Sequence, residues 1–169
     1  MVVTIANEAG LAIPIDEAEI DAAVSAVLAA EGVERACEVS VAIVTDEEIR
    51  ALNRDWRGID AVTDVLSFEC DSPFADDVPA GEVVEVGDVI LAPAQIAAQA
   101  PRFGGTPADE FRLMLVHGTL HLLGHDHMEE GEALSMEARE LEVLRALAAA
   151  RGDDADAVEI GPTTRHIDD

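Results

Sequence analysis

"ADEFRLMLVHGTLHLLGHDH", residues 108 to 127, starts as a leucine-rich helix and ends on a cluster of imidazoles. Four of the chain's five histidines lie in its last eleven residues, among leucines where an imidazole is an awkward guest. Helical periodicity over roughly 107 to 123 puts His117 and His121 one turn apart and about 40° apart around the axis, so they share a face. Two neutral imidazoles at that spacing can converge on one metal ion. Gly124 then lets the chain leave the helix, so that a third imidazole, His127, can fold back toward the same point. The alternative is a pair of core histidines bonded to backbone carbonyls. Three histidines at ordered spacing favour the metal.

The pattern H-x3-H-x5-H, with Gly seven residues after the first His, has the ligand spacing of the metzincin zinc motif. In zinc peptidases the residue after the first His is a Glu that takes a proton from the metal-bound water; here it is Gly118. A peptidase of that mechanism is therefore disarmed. What is left is a three-histidine site with an open coordination position, able to lower the pKa of bound water to about 7 and to polarise a substrate oxygen. His125 competes with His127 as third ligand on spacing alone. Asp126 fits the N-cap of a helix over 128 to 150, with Glu129 completing a capping box.

Working outward, strands are expected at "MVVTIAN", "CEVSVAIVT", "TDVLSFEC" and "EVVEVGDVILA". A helix capped by Asp16 and stopped by Gly32 falls between the first two, and a short helix opening at Asp46 and ending before Gly58 falls between the second and third. Gly87 marks a bulge or a close approach in the fourth strand. Past Pro93 the chain reads as helical over 93 to 100, 107 to 123 and 128 to 150. The expectation is a single α+β domain over residues 1–150: a small mixed sheet of about four strands covered by about five helices, with the metal site on a helix and the turn after it. Residues 151–169 read as an acidic, disordered tail.

The chain has 169 residues, 49% of them hydrophobic, enough for a sizeable core. No run is long and apolar enough to span a membrane, and "MVVTIANEAG" lacks the order of a signal peptide, so a cytoplasmic protein is expected. Cys37 and Cys70 both lie in strand-like runs and are expected to be free thiols. Against 36 acidic residues stand 10 basic ones, every one Arg, giving a formal net charge of −26. Such a surface repels itself and nucleic acid until salt shortens the Debye length to about 3 Å near 1 M, which points to a salt-rich cytoplasm.

At "HGTLHLLGHDH" the sequence resembles the YbeY endoribonucleases, bacterial rRNA maturation factors, whose signature is similar to H-G-x-L-H-L-x-G-[YH]-D-H. "LNRDWRGIDAVTDVLSF" resembles a second segment of that family and "VGDVILAP" a third, so the likeness covers roughly residues 38 to 145. Glu69 departs from it, standing where a Pro is expected. The resemblance implies a metal-dependent endoribonuclease preferring single strands, acting on small-subunit (16S) rRNA 3′-end maturation and ribosome quality control, with the ribosome as partner and neither DNA nor membrane. It implies one zinc per chain held by His117, His121 and His127, leaving position 125 to vary, and it places the family's candidate catalytic arginine on Arg57. A guanidinium there can pair bidentately with a phosphate and stabilise charge developing on phosphorus. The competing role for Arg57 is a cation at a helix C-terminus, complementing the macrodipole. For Thr63, Asp64, Gly87 and Asp88, turn and strand geometry is an adequate explanation.

RNA binding by so acidic a chain must draw on the cleft itself: zinc, Arg57 and Arg54, and stacking on a few aromatics, of which Trp56 is nearest in sequence. Two rival functions remain: a zinc hydrolase of peptides or small molecules, against which Gly118 argues, and a non-enzymatic, zinc-stabilised ribosome-assembly protein, which would call for four protein ligands.

Overall fold

In the computed structural model, residues 1–126 and 129–161 are described. Four strands, β1 (Val2–Ala6), β2 (Cys37–Ile43), β3 (Val65–Glu69) and β4 (Val84–Leu91), form one sheet in the order β1-β2-β4-β3. The β1–β2 and β2–β4 pairs are parallel and β3 runs antiparallel to β4, so the sheet is mixed and β3 is an edge. The helices are α1 (Glu17–Ala30), α2 (Asp46–Arg57), α3 (Pro93–Gln99), α4 (Pro107–Leu122) and α5 (Glu130–Arg151). This is the α+β domain expected from the sequence.

Local chemistry sets the ends of these elements. Asp16 accepts from the Glu19 amide at 2.8 Å to cap α1, and Thr45 caps α2 by accepting from the Glu48 amide at 3.1 Å. Gly58 closes α2 in the left-handed conformation that a glycine adopts without steric cost. A reciprocal capping box of Thr106 and Asp109 starts α4. Gly87 is the close-approach point: a Cβ there would lie 2.2 Å from the Phe68 carbonyl oxygen, and the β2–β4 register slips beside it, between Glu38 and Val39.

Alternation along β3 and β4 sorts the sheet into two faces. Val65, Val89 and Leu91 join the main core beneath α1, α4 and α5. Leu66, on the other face, forms a second cluster with Ile49 of α2 and Ala92, against which Phe68 and Ile90 pack. Helix α4 is thus buried between sheet and helices, while α2 covers the opposite face with its outer side in solvent.

Two expectations are corrected. Asp126 does not cap α5: that helix begins at Glu130 with Glu129 at its N-cap and no side-chain cap bond, so position 126 lies too far upstream for a capping box. The segment after α5 is not structureless through residue 161, because its few apolar side chains find the core. It makes a 3₁₀ turn at Ala155–Ala157, Val158 and Ile160 pack against the core, and Arg145 donates to the Val158 carbonyl at 3.4 Å. Residues 162–169, the rest of the expected tail, lie outside the described residues. Both cysteines are free, Cys37 buried and Cys70 exposed, and burial pushes both thiols above their ordinary pKa.

Candidate metal centre

The last turn of α4 carries the site. His117 is fully buried and His121 partly so, and their Nε2 atoms stand 3.1 Å apart. Each ring is oriented from behind. The Nδ1 of His117 faces Oε2 of Glu140 at 3.1 Å, and the Nδ1 of His121 donates to the backbone carbonyl of His125 at 2.8 Å. A carboxylate and a carbonyl are acceptors, so both Nδ1 atoms carry a proton, and in a neutral ring that leaves Nε2 with its lone pair. The 3.1 Å between them is the separation of two nitrogens that share a proton or a metal ion. Two nitrogens bound to one tetrahedral zinc at about 2.0–2.1 Å stand about 3.3 Å apart, so the pair fits that metal in spacing and in donor chemistry.

The carbonyl that orients His121 is delivered by the way α4 ends. The amide of Gly124 donates to the His121 carbonyl at 3.1 Å and that of His125 to the Leu120 carbonyl at 3.2 Å, the two bonds of a Schellman turn, with Gly124 at φ +97°. This turn folds the backbone of residue 125 over His121. The His125 side chain points elsewhere: its Nε2 bonds Glu31, the residue that caps the C-terminus of α1, and Arg139 of α5 holds the same carboxylate at 2.8 Å. The Glu31 contact thus ties the His125 side chain to the scaffold, while its carbonyl serves the site. His127 lies outside the described residues; among those described, no third His, Cys, Asp or Glu completes a metal-holding group.

Gly118 has a packing reason. A Cβ on it would meet Val89 Cγ1 at 2.9 Å, Val65 Cγ2 at 3.0 Å and Ser67 Oγ at 3.1 Å, and the Ser67 hydroxyl donates to the Gly118 carbonyl at 2.8 Å. Helix and sheet touch here, and a glutamate side chain has no room.

Arg57 ends α2, exposed, with Nη1 donating to Asn53 Oδ1 at 3.4 Å. Asp64 and Thr63 are buried: Asp64 accepts from the Val65 amide at 2.8 Å and from Gln99 Nε2 at 2.7 Å, and the same Gln99 nitrogen donates to Glu110 at 3.1 Å, tying the start of β3 to α3 and α4. The structure therefore joins His117 with His121 and gives Asp64 a scaffold. Sequence reasoning missed Glu140, Glu31 and Ser67. Only Glu140 left a signal, as an acid on the apolar stripe Ala133, Met136, Val143 and Leu144 of α5.

Comparison with known proteins adds three findings. The sequence model described as Endoribonuclease YbeY matches residues 5–148. A curated Endoribonuclease YbeY of Chloroflexus aurantiacus is 42% identical over 154 residues, 89% of this chain and 99% of that protein, and one from Chloroflexus aggregans is 45% identical over 141 residues, covering 81% and 91%. A solution structure of a Thermotoga maritima protein superposes with a TM-score of 0.60 at 23% identity, covering 94% of this chain and 98% of that one, and shares the fold.

Proposed function

Since this chain belongs to the endoribonuclease YbeY family, we propose that it is a zinc-dependent endoribonuclease preferring single-stranded RNA, which matures the 3′ end of small-subunit (16S) rRNA and serves ribosome quality control. His117, His121 and His127 are the proposed ligands of one zinc per chain. The observation that carries the reading is the pair of Nε2 atoms at 3.1 Å, each ring oriented by an acceptor behind it. When bound, the metal supplies Lewis-acid polarisation of a phosphoryl oxygen. The chain's own residues do the rest. Glu140 and the His125 carbonyl hold the rings, the buried base of α4 keeps water from behind them, and Arg57 is the proposed phosphate clamp. A peptide hydrolase at the same site would lack its base at position 118, where packing excludes a glutamate.

The test is elemental analysis joined to an RNA assay. Wild-type protein should hold about one zinc per chain and cut single-stranded RNA in a chelator-sensitive way, and His121→Ala should lose both. Full metal retention by His121→Ala would remove the ligand assignment. Cleavage of peptides in place of RNA would turn the reading to the peptide hydrolase.

We further propose a salt-rich cytoplasm as the working environment. No helix among the described residues is long and apolar enough to cross a membrane. Self-repulsion among 36 acidic side chains, offset by only 10 arginines, should make the fold depend on screening, so the melting temperature should rise between about 0.1 M and about 2 M KCl. An unchanged melting temperature would remove the basis for that environment.

A further inference from the structure

We infer that Glu31, at the end of α1, is a positioning residue for His121: it acts through the side chain and then the carbonyl of His125, with Arg139 holding its carboxylate in place. The inference rests on the reading of His121 as a metal ligand and adds what fixes its ring.

Its own helix gives no reason for Glu31. The residue closes α1, whose last turn carries no basic side chain, and a carboxylate at a helix C-terminus opposes the macrodipole. Its side chain is only 11% exposed, so the charge needs partners to offset its desolvation. Two partners come from other elements. Oε1 accepts from Nε2 of His125, in the turn after α4, and Oε2 accepts from Nε of Arg139 on α5 at 2.8 Å. The Glu31 amide is itself held on the Val27 carbonyl at 3.0 Å. With backbone and both carboxylate oxygens engaged, Glu31 is a fixed anchor between α1, α5 and the end of α4.

The anchor matters because of where His125 stands in the chain. Gly124, at φ +97° and with nothing within 4 Å of where a Cβ would stand, is a flexible joint between α4 and His125. The turn that closes α4 holds the amide of residue 125 on the Leu120 carbonyl but leaves rotation about the N–Cα bond of that residue. Cβ and the carbonyl carbon move together in that rotation, so a fixed side chain fixes the carbonyl carbon. The oxygen is thereby kept 2.8 Å from Nδ1 of His121. Without this acceptor the His121 ring can flip or change tautomer, and either takes its lone pair away from the His117 side.

Two consecutive residues of α5 thus orient both imidazoles. Glu140 faces Nδ1 of His117 directly at 3.1 Å, while Arg139, about 100° around the axis, works on His121 through Glu31 and His125. The competing role for Glu31 is a tie between α1 and α5 and nothing more. A tie changes stability alone; a positioning residue changes the state of His121 as well.

The test compares full-length wild-type protein with Glu31→Ala, Glu31→Gln and His125→Ala. In metal-free protein, above the imidazole pKa, nitrogen chemical shifts should show His121 as the Nδ1–H tautomer in wild type and as a mixture in Glu31→Ala, with His117 unchanged. Competition against a chelator should show Glu31→Ala binding zinc about tenfold more weakly, the lower end of what losing a group behind a metal ligand costs. Glu31→Gln keeps an oxygen that accepts from His125 and should lie closer to wild type in both readouts. Because Glu31 acts through His125, adding Glu31→Ala to His125→Ala should weaken zinc binding no further. A lowered melting temperature with wild-type His121 shifts and zinc affinity would reduce Glu31 to a tie and leave the metal reading intact. Equal disturbance of His117 and His121, or additive losses in the double variant, would also overturn the positioning role. Wild-type protein that binds no zinc, with the His121 tautomer still released in Glu31→Ala, would overturn the metal reading and leave Glu31 its role.

Discussion

Helices α4 and α2 lie on opposite faces of the same sheet and solve opposite problems. Helix α4 is buried almost all round, and its reactive groups are held by what surrounds them: Glu140 behind His117, the His125 carbonyl behind His121, Ser67 against Gly118. Helix α2 buries only Ile49 and Asn53 and puts Trp56 and three arginines into solvent. The first geometry suits a metal, whose ligands must stand within tenths of an ångström of their places. The second suits a flexible polyanion, which arrives in many conformations. Substitutions should therefore act through fold and metal on α4, and through turnover or binding on α2.

The largest effect is expected at Gly118. Gly118→Glu must push its Cβ into Val89 and Val65, whose branched side chains have little rotamer freedom, and must bury a carboxylate beneath the sheet. Even Gly118→Ala, which gains up to about 1 kcal/mol of helix propensity, should lose more to overpacking, which typically costs about 1–3 kcal/mol. Thermal melting should show Gly118→Ala destabilised and Gly118→Glu unable to fold cooperatively. A stable Gly118→Glu protein would break the account of why this helix carries no peptidase base.

Arg57 tests the other helix. Removing a donor that stabilises developing charge typically costs about 10²-fold in kcat, so Arg57→Ala should cleave single-stranded RNA about that much more slowly at wild-type zinc content. Arg57→Lys should fall between, since it keeps the charge but loses the planar fork. Turnover of Arg57→Ala within about threefold of wild type would make Arg57 a helix-end cation only, complementing the last turn of α2.

The same contrast explains what the sequence made legible. Periodicity and caps placed the four strands and the five α-helices to within a few residues, because Asp16, Gly32, Gly58 and Gly87 act within a turn or a strand of their own position. The histidine pair was legible for the same reason: a spacing of four on a helix is a local fact. The orienting groups were not. Glu31 reaches His125 from 94 residues away and Glu140 reaches His117 from 23, and no local pattern encodes which acid faces which imidazole. The capping box assigned to Asp126 failed in the opposite sense, as a local pattern satisfied in sequence but not used by the helix start at Glu130. Trp56 stays exposed because α2 covers the sheet's second face with one side only, through Ile49.

Glu140 gives the smallest and most discriminating prediction. Its side chain is 1% exposed, midway along α5, with Oε2 3.1 Å from Nδ1 of a fully buried His117. A carboxylate in that place fixes the proton on Nδ1 and makes Nε2 a better donor to a cation, and removing such a partner typically weakens metal binding about 10–100-fold. Glu140→Gln keeps the shape, and its amide oxygen can still accept from Nδ1, but the charge that raises the basicity of the ring is gone. Its zinc affinity, measured by competition against a chelator, should drop toward the lower end of that range. Glu140→Ala leaves a buried Nδ1–H without its acceptor and should cost about 1–3 kcal/mol of stability as well, visible in the melting temperature of the metal-free protein. Nitrogen chemical shifts of His117 separate a positioning role from a packing role, because only loss of the acceptor releases the Nδ1–H tautomer while the fold stays intact. If Glu140→Gln binds zinc within about threefold of wild type and keeps the His117 tautomer, the buried carboxylate is packing, and the α4 site owes its order to the helix alone.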